Sequence, residues 1–287
     1  MKRTTGYHWR NSLPILFLLG LTCCQPKQAT TGDTATSDKQ PSTFYNTKNN
    51  DDSRQQTKTI TEYELPAPLT DRPELIIRRE GYTTSYNATT KQPNWVAWHL
   101  TKNRTHGNAT RNESAFMEDT TVPAPRATLD DYFNRGYDRG HMCPAADNKW
   151  NKTAMDESFL LTNICPQNHG LNKYEWNDVE MLCRDWAHRY GAIDIVCGPI
   201  FRNATPQRTL GRNKVWVPDA FFKVVLCRKG EPKAIGFVYD NIGRKMKMNE
   251  HIFTVDEIED ITGIDFFPAL DDKTENTVEA VSNIREW

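Results

Sequence analysis

The sequence predicts an α+β fold. Strand-like apolar runs lie on both sides of one amphipathic segment, residues 170–190, instead of alternating with helices as in a doubly wound sheet. Within that segment Trp176, Val179, Cys183 and Trp186 recur at three- and four-residue spacing, which makes one buried stripe. At 287 residues the chain can form one domain of ~200 residues with a substantial core and a dispensable end.

Residues 1–24 read as an export signal. Lys2, Arg3 and Arg10 carry positive charge ahead of a nine-residue apolar stretch, 13–21, interrupted only by Pro14 and Gly20. That stretch is too short to span a bilayer as a helix. It runs into Leu21-Thr22-Cys23-Cys24, which resembles a bacterial lipoprotein box with Cys24 as the acylated residue. Acylation at Cys23 would put Gly20 where leucine is expected; ordinary secretion with cleavage nearby is the alternative. Residues 25–60 are rich in Thr, Ser, Gln, Asn, Asp and Lys, too polar to offset their ordering entropy, and are expected to form a disordered tether. The globular domain is expected over residues 61–287.

Within it, the alternation at 94–101 predicts a half-buried strand, and 129–133 a short helix or turn leading to a loop at 138–141. A strand is expected at 159–164, then one long helix from Gly170 to Tyr190, stopped by Gly191. Further strands are expected at 193–197, 215–217, 221–227 and 234–239. Thr254 and Glu257 have capping-box spacing and should start a late helix. Five cysteines follow the signal: Cys143, Cys165, Cys183, Cys197 and Cys227. An odd number leaves at least one thiol unpaired or bonded between chains, and several lie in apolar runs as small buried side chains do. No Cys-x-x-Cys pair suggests structural zinc, and no period suggests a solenoid.

The densest chemistry is Asp138-Arg139-Gly140-His141. Phosphodiester cleavage needs an activated water, neutralisation of the phosphate oxygens and help for the departing oxygen. An imidazole, ordinarily titrating near ~6.5, can be neutral and proton-accepting at physiological pH, so His141 is the candidate general base. Arg139 offers a planar, permanently charged fork for phosphate. Gly140 is expected to permit a tight turn, and Asp138 to orient the loop or a neighbouring base. A second cluster, residues 161–167, runs into the long helix. There Asn172 falls on the buried stripe one turn before Trp176, where asparagine suits either a hard oxygen ligand for a metal or a helix N-cap. In a straight helix Glu180 lies ~80° round from it and ~12 Å along the axis. Glu180 is also spaced as an ion-pair partner for Arg184.

Taken in order, Asp138-Arg139-Gly140-His141, the run Asn163-Ile164-Cys165-Pro166-Gln167, and Asn172 with Trp176 and Glu180 resemble the signature of the DNA/RNA non-specific endonuclease family. The resemblance spans residues 61–287 and is densest over 138–201. It implies a ββα-metal (His-Me finger) fold with a mixed or antiparallel sheet and a long central helix. It implies divalent-metal-dependent hydrolysis of DNA and RNA with little sequence preference. Asn172 is then the direct protein ligand of Mg²⁺, with Mn²⁺ as a substitute, and Glu180 contacts water on the metal. Arg139, Arg111 and Arg184 match arginines placed around phosphate and transition state. The chain departs from the family at Lys173-Tyr174-Glu175, where glycine is common; bulk there narrows the substrate path, and Glu175 adds negative charge close to the metal.

The formal net charge of -1 gives no global positive field to attract nucleic acid. Two stretches lack acids: 94–112, with Lys102, Arg104 and Arg111, and 201–217, with Arg202, Arg208, Arg212 and Lys214. Each suits either a phosphate track or a plain solvated face. The expectation is an exported, cell-envelope nuclease acting on DNA and RNA, touching the membrane only through a lipid at Cys24, with a homodimer left open. The rival readings are a surface nucleic-acid-binding protein that lost catalysis, although no catalytic residue is missing, and a metal phosphodiesterase for small substrates.

Overall fold

A computed structural model describes residues 61–287; the segments read as an export signal and a polar tether, with Cys24, lie outside the described residues. In chain order come strands β1 (Leu75–Arg78), β2 (Thr83–Asn87) and β3 (Gln92–Thr101), then helix α1 (Leu129–Tyr132) and strand β4 (Asp138–His141). Helix α2 (Lys152–Glu157) precedes β5 (Ile164–Gln167), which leads into α3 (His169–Lys173) and α4 (Glu175–Tyr190). Strands β6 (Ala192–Ile200), β7 (Thr209–Leu210), β8 (Val215–Trp216), β9 (Ala220–Cys227), β10 (Lys233–Asp240) and β11 (Ile252–Phe253) follow. Helices α5 (Val255–Thr262) and α6 (Asp272–Glu279) close the chain. One seven-stranded sheet has the order β1-β2-β3-β6-β9-β10-β11, every pair antiparallel, while β4 pairs only with β5.

Period-two alternation in β3, β6, β9 and β10 divides the core between the two faces of this sheet. Trp98, Ile195, Phe221, Val225 and Phe237 face the predicted stripe of α4, where Trp176, Val179, Cys183 and Trp186 are all buried. Trp95, Val196, Phe222, Val224 and Val238 face the other way, against Val255 and Ile258 of α5 and Val278 of α6. The result is three layers: the β4-β5-α3-α4 unit, the sheet, and the α5-α6 pair. With both faces covered, β3 is buried along nearly its whole length, not half-buried as its alternation suggests. The capping box of α5 forms as expected: Thr254 Oγ1 accepts from Glu257 N at 3.1 Å, and Thr254 N donates to Glu257 Oε2 at 2.8 Å. Gly191, at φ 89°, ends α4.

Three local expectations are corrected. The segment at 138–141 is a strand, because its backbone pairs with β5. The strand expected at 159–164 begins only at Ile164, after a short 3₁₀ turn over Leu161–Asn163. The helix expected from Gly170 to Tyr190 is two helices, broken at Tyr174 (φ -113°, ψ -87°). Straight-helix placement of Glu180 relative to Asn172 therefore does not carry across the break. All five described cysteines are free thiols buried in the core.

Candidate active site

Antiparallel pairing sets Asp138 opposite Gln167 and His141 opposite Ile164, so the two motif clusters become neighbouring strands. Gly140 is fixed by packing, not by a turn. A Cβ there would lie 2.2 Å from Gln167 Oε1 and 2.6 Å from Gln167 Cβ, and Gln167 is fully buried. Gly140→Ala is expected to destabilise the domain by about 1–3 kcal/mol through overpacking. Denaturant unfolding checks this, and an unchanged midpoint would refute it. Asn163 latches the chain beyond the strand: its Oδ1 accepts from Cys143 N at 2.9 Å, and its Nδ2 donates to Cys143 O and Ser158 O at 2.8 and 2.7 Å. Trp176 Nε1 donates to His141 O at 3.3 Å, tying the first turn of α4 to the end of β4.

His141 is walled by aromatic rings. Its ring centroid lies 5.3 Å from that of Phe116 and 4.9 Å from that of Phe159, the latter edge-on. The guanidinium of Arg139 sits 4.4 Å over Phe116, and that of Arg111 5.8 Å from Phe159. Phe116 and Phe159 also meet each other, 5.1 Å apart, so the three rings form a triangular cluster with one arginine on each phenylalanine. Burial, aided by the positive charge of Arg111, pushes the His141 pKa down to about 3, and its Nε2 has no hydrogen-bond partner among the described residues. The imidazole is held neutral, and Nε2 is closed off from solvent. Neither phenylalanine was signalled by sequence pattern, since both come from segments outside the motifs.

Asp138 does not touch His141 through a hydrogen bond. Its Oδ2 accepts from Asn172 Nδ2 at 2.8 Å and meets His169 Nδ1 at 2.9 Å. Holding the amide nitrogen leaves Asn172 Oδ1, a hard oxygen, as the atom available to a cation. Arg184 pairs with Asp147 at 3.0 Å, not with Glu180, and Trp98 Nε1 donates to the other oxygen of Asp147 at 3.1 Å. Burial pushes the Glu180 carboxyl up to about 7, while Lys223 and Arg184 pull it back. Lys223 is fully buried below the site, 4.4 Å over Trp176 and 5.5 Å from Trp98. Neither Asp147 nor Lys223 was read as part of the site. Asp147 follows His141 closely but has no spacing that marks a role, whereas Lys223 lies far along the chain and only the fold brings it under the site.

Asp138, Arg139, His141, Asn172, Glu180, Arg184 and Arg111 all line one cavity of about 800 Å³. Lys149, His169, Lys173 and Asn177 join them. Five cationic side chains therefore face two carboxylates, a locally basic cleft on a protein of net charge -1. The departure at 173–175 does not add charge as expected: Glu175 is buried, accepts from Met246 N at 3.0 Å and does not line the cavity, whereas Lys173 does. Of the two acid-free stretches, only the first reaches the cavity, through Gly107 to Asn112. Its Arg104 is engaged by backbone oxygens of His99 and Gly81, and Arg202 of the second pairs with Asp240 at 2.5 Å.

Among known families, the model described as DNA/RNA non-specific endonuclease matches residues 37–273. The chain belongs to that family. It is 36% identical over 210 residues to the mitochondrial nuclease EXOG of Mus musculus, covering 68% of this chain and 57% of the mouse protein. With the mitochondrial nuclease of Saccharomyces cerevisiae it shares 33% identity over 228 residues, 71% of this chain and 67% of that one. With human mitochondrial endonuclease G it shares 32% over 205 residues, 67% and 69% of the two chains. The crystal structure of the EndoG/EndoGI complex aligns with TM-score 0.66 and 25% identity over 70% of this chain and 90% of that one. The chain spans only about three fifths of the length of several curated relatives it matches. The ββα-metal fold implied by the motifs is the fold observed, with β4, β5 and the α3–α4 pair as its parts. The family is divalent-metal dependent.

Proposed function

We propose that this protein is a divalent-metal-dependent endonuclease that hydrolyses phosphodiester bonds of DNA and RNA with little sequence preference. The observation that carries the reading is a neutral His141 imidazole in the wall of the basic cavity that also holds Asn172. His141 takes the proton of the attacking water at Nδ1, the ring nitrogen that is not closed off from solvent. Arg139, over Phe116, and Arg111, beside Phe159, hold the phosphate oxygens, and Arg184, oriented by Asp147, adds positive charge as the transition state forms. Asp138 fixes the Asn172 amide, so Asn172 Oδ1 would hold the cation and Glu180, lining the same cavity from α4, would contact water bound to it. Mg²⁺ fits a site of one protein oxygen and several waters, and Mn²⁺ is the expected substitute. When bound, the ion neutralises phosphate charge and stabilises the departing oxygen.

Purified protein should cut plasmid DNA and RNA with Mg²⁺ or Mn²⁺ and stop with chelator. No cleavage of either polymer under any of these conditions would sink the proposal. Turnover of nucleotide-sized diesters alone would instead favour the small-substrate phosphodiesterase.

The chain is further proposed to be exported and lipid-anchored, on the strength of the apolar stretch 13–21 and Leu21-Thr22-Cys23-Cys24. The relatives named above carry mitochondrial names, which describe those proteins. Fatty-acid labelling that disappears in Cys24→Ala is the expected result; labelling that persists in that variant, or none in the parent, overturns it.

A further inference from the structure

On the sheet face opposite the cavity, α5 and α6 bring three carboxylates together. Asp256 in the first turn of α5, Glu259 one turn later and Glu279 at the end of α6 each place an oxygen within 4.8 Å of the others. The three differ in setting. Asp256 is exposed and Glu259 half-buried, but Glu279 is only 5% exposed. Glu279 Oε1 is closed off from solvent and has no hydrogen-bond partner among the described residues. One oxygen of Glu259 accepts from Phe266 N at 2.7 Å, which fixes that carboxylate beside the cluster. Asp265 and Glu275 deepen the negative potential. No lysine or arginine pairs with any of the three among the described residues.

A buried carboxylate among other carboxylates is strongly unfavourable without a compensating charge. The geometry points to a calcium-type divalent cation site formed by Asp256, Glu259 and Glu279, which staples α5 to α6. Ca²⁺ accepts irregular shells of oxygens at ~2.3–2.6 Å, so a single ion can bridge atoms up to 4.8 Å apart, whereas Mg²⁺ demands a tighter octahedron at ~2.0–2.1 Å. Exposed Asp256 leaves a side open for entry and for water. None of the three residues lines the cleft, so this site is separate from the one assigned to the reaction and does not rest on that assignment.

The test uses the full chain carrying Asn172→Ala, which removes the cleft's ligand. Thermal unfolding and titration calorimetry with Ca²⁺ at constant ionic strength should show a saturable rise in Tm, roughly 5–10 °C at a hundredfold excess over Kd. One ion should bind per chain, with Ca²⁺ more effective than Mg²⁺. Adding Glu279→Gln should weaken Ca²⁺ binding at least tenfold. Asp256→Asn, at an exposed position, should weaken it severalfold, and serves if the Glu279 variant does not fold. No Ca²⁺-dependent rise in the Asn172→Ala chain, or the same rise in both added variants, would overturn the site and leave Glu279 as a carboxyl that simply keeps its proton.

Discussion

His141→Ala is expected to lower cleavage of plasmid DNA and RNA by about 10²- to 10⁴-fold, the range a positioned base supplies. The loss should appear in kcat at saturating metal and substrate, because the imidazole contributes proton transfer and not cation binding. Its burial explains why bulk water cannot take over from the lost imidazole. Phe116 and Phe159 enclose the ring, and burial together with Arg111 holds it neutral, with a pKa down to about 3. In the substrate-free protein the ring should therefore show no titration by NMR between pH 5 and 8. The sign for stability follows from the same shift. The unfolded chain binds this proton below ~6.5 and the folded chain only near 3, so His141 makes stability fall as pH drops between those limits. Full activity of His141→Ala, in material free of contaminating nuclease, would remove His141 from the reaction.

Asn172→Ala is expected to abolish metal-stimulated cleavage at millimolar Mg²⁺, since it deletes the one protein oxygen assigned to the ion. Asp138→Asn should act differently. The carboxylate that orients the Asn172 amide at 2.8 Å becomes a neutral amide, which binds that nitrogen more weakly and can present a donor instead. The metal concentration for half-maximal rate should rise roughly 10- to 100-fold, with kcat largely recovered at saturating metal. An unchanged metal dependence in both variants would show that the cation is held elsewhere.

Much of the architecture was legible because local and tertiary demands coincide. The stripe of α4 and the capping box of α5 need only their own segments, and the apolar runs of β6, β9 and β10 are buried whichever neighbour covers them. Short β1 and β2 escaped notice, as did the polar α2 and α6. The break at Tyr174 had no proline or glycine to announce it. Within the site, the motif residues were readable because the chemistry names its side chains. Their partners were not. Arg184 had Glu180 four residues away as an obvious mate, yet it pairs with buried Asp147, which the short turn after β4 brings to it across a separation of 37 residues. The aromatic walls of His141 and the buried Lys223 are likewise products of the fold.

The break between α3 and α4 makes Asn172, the asparagine proposed to hold the cation, a separately mounted part. Asn168 N donates to Asn241 Oδ1 at 2.7 Å, Asn168 Oδ1 accepts from Gly170 N at 2.9 Å, and Gly170 packs closely on Gly243. Asn241 Nδ2 also donates to Pro166 O and Pro218 O, at 3.0 and 2.9 Å, joining the ends of three segments. Asn172 is thus referenced to β5 and the chain after β10, while Glu180 and Arg184 are referenced to the core through α4. A one-residue slip in a continuous helix would swing every later side chain by ~100°. Across a hinge it need not reach the asparagine. Substitutions in the large hydrophobic interface of α4 are then expected to shift Glu180 and Arg184 more than Asn172.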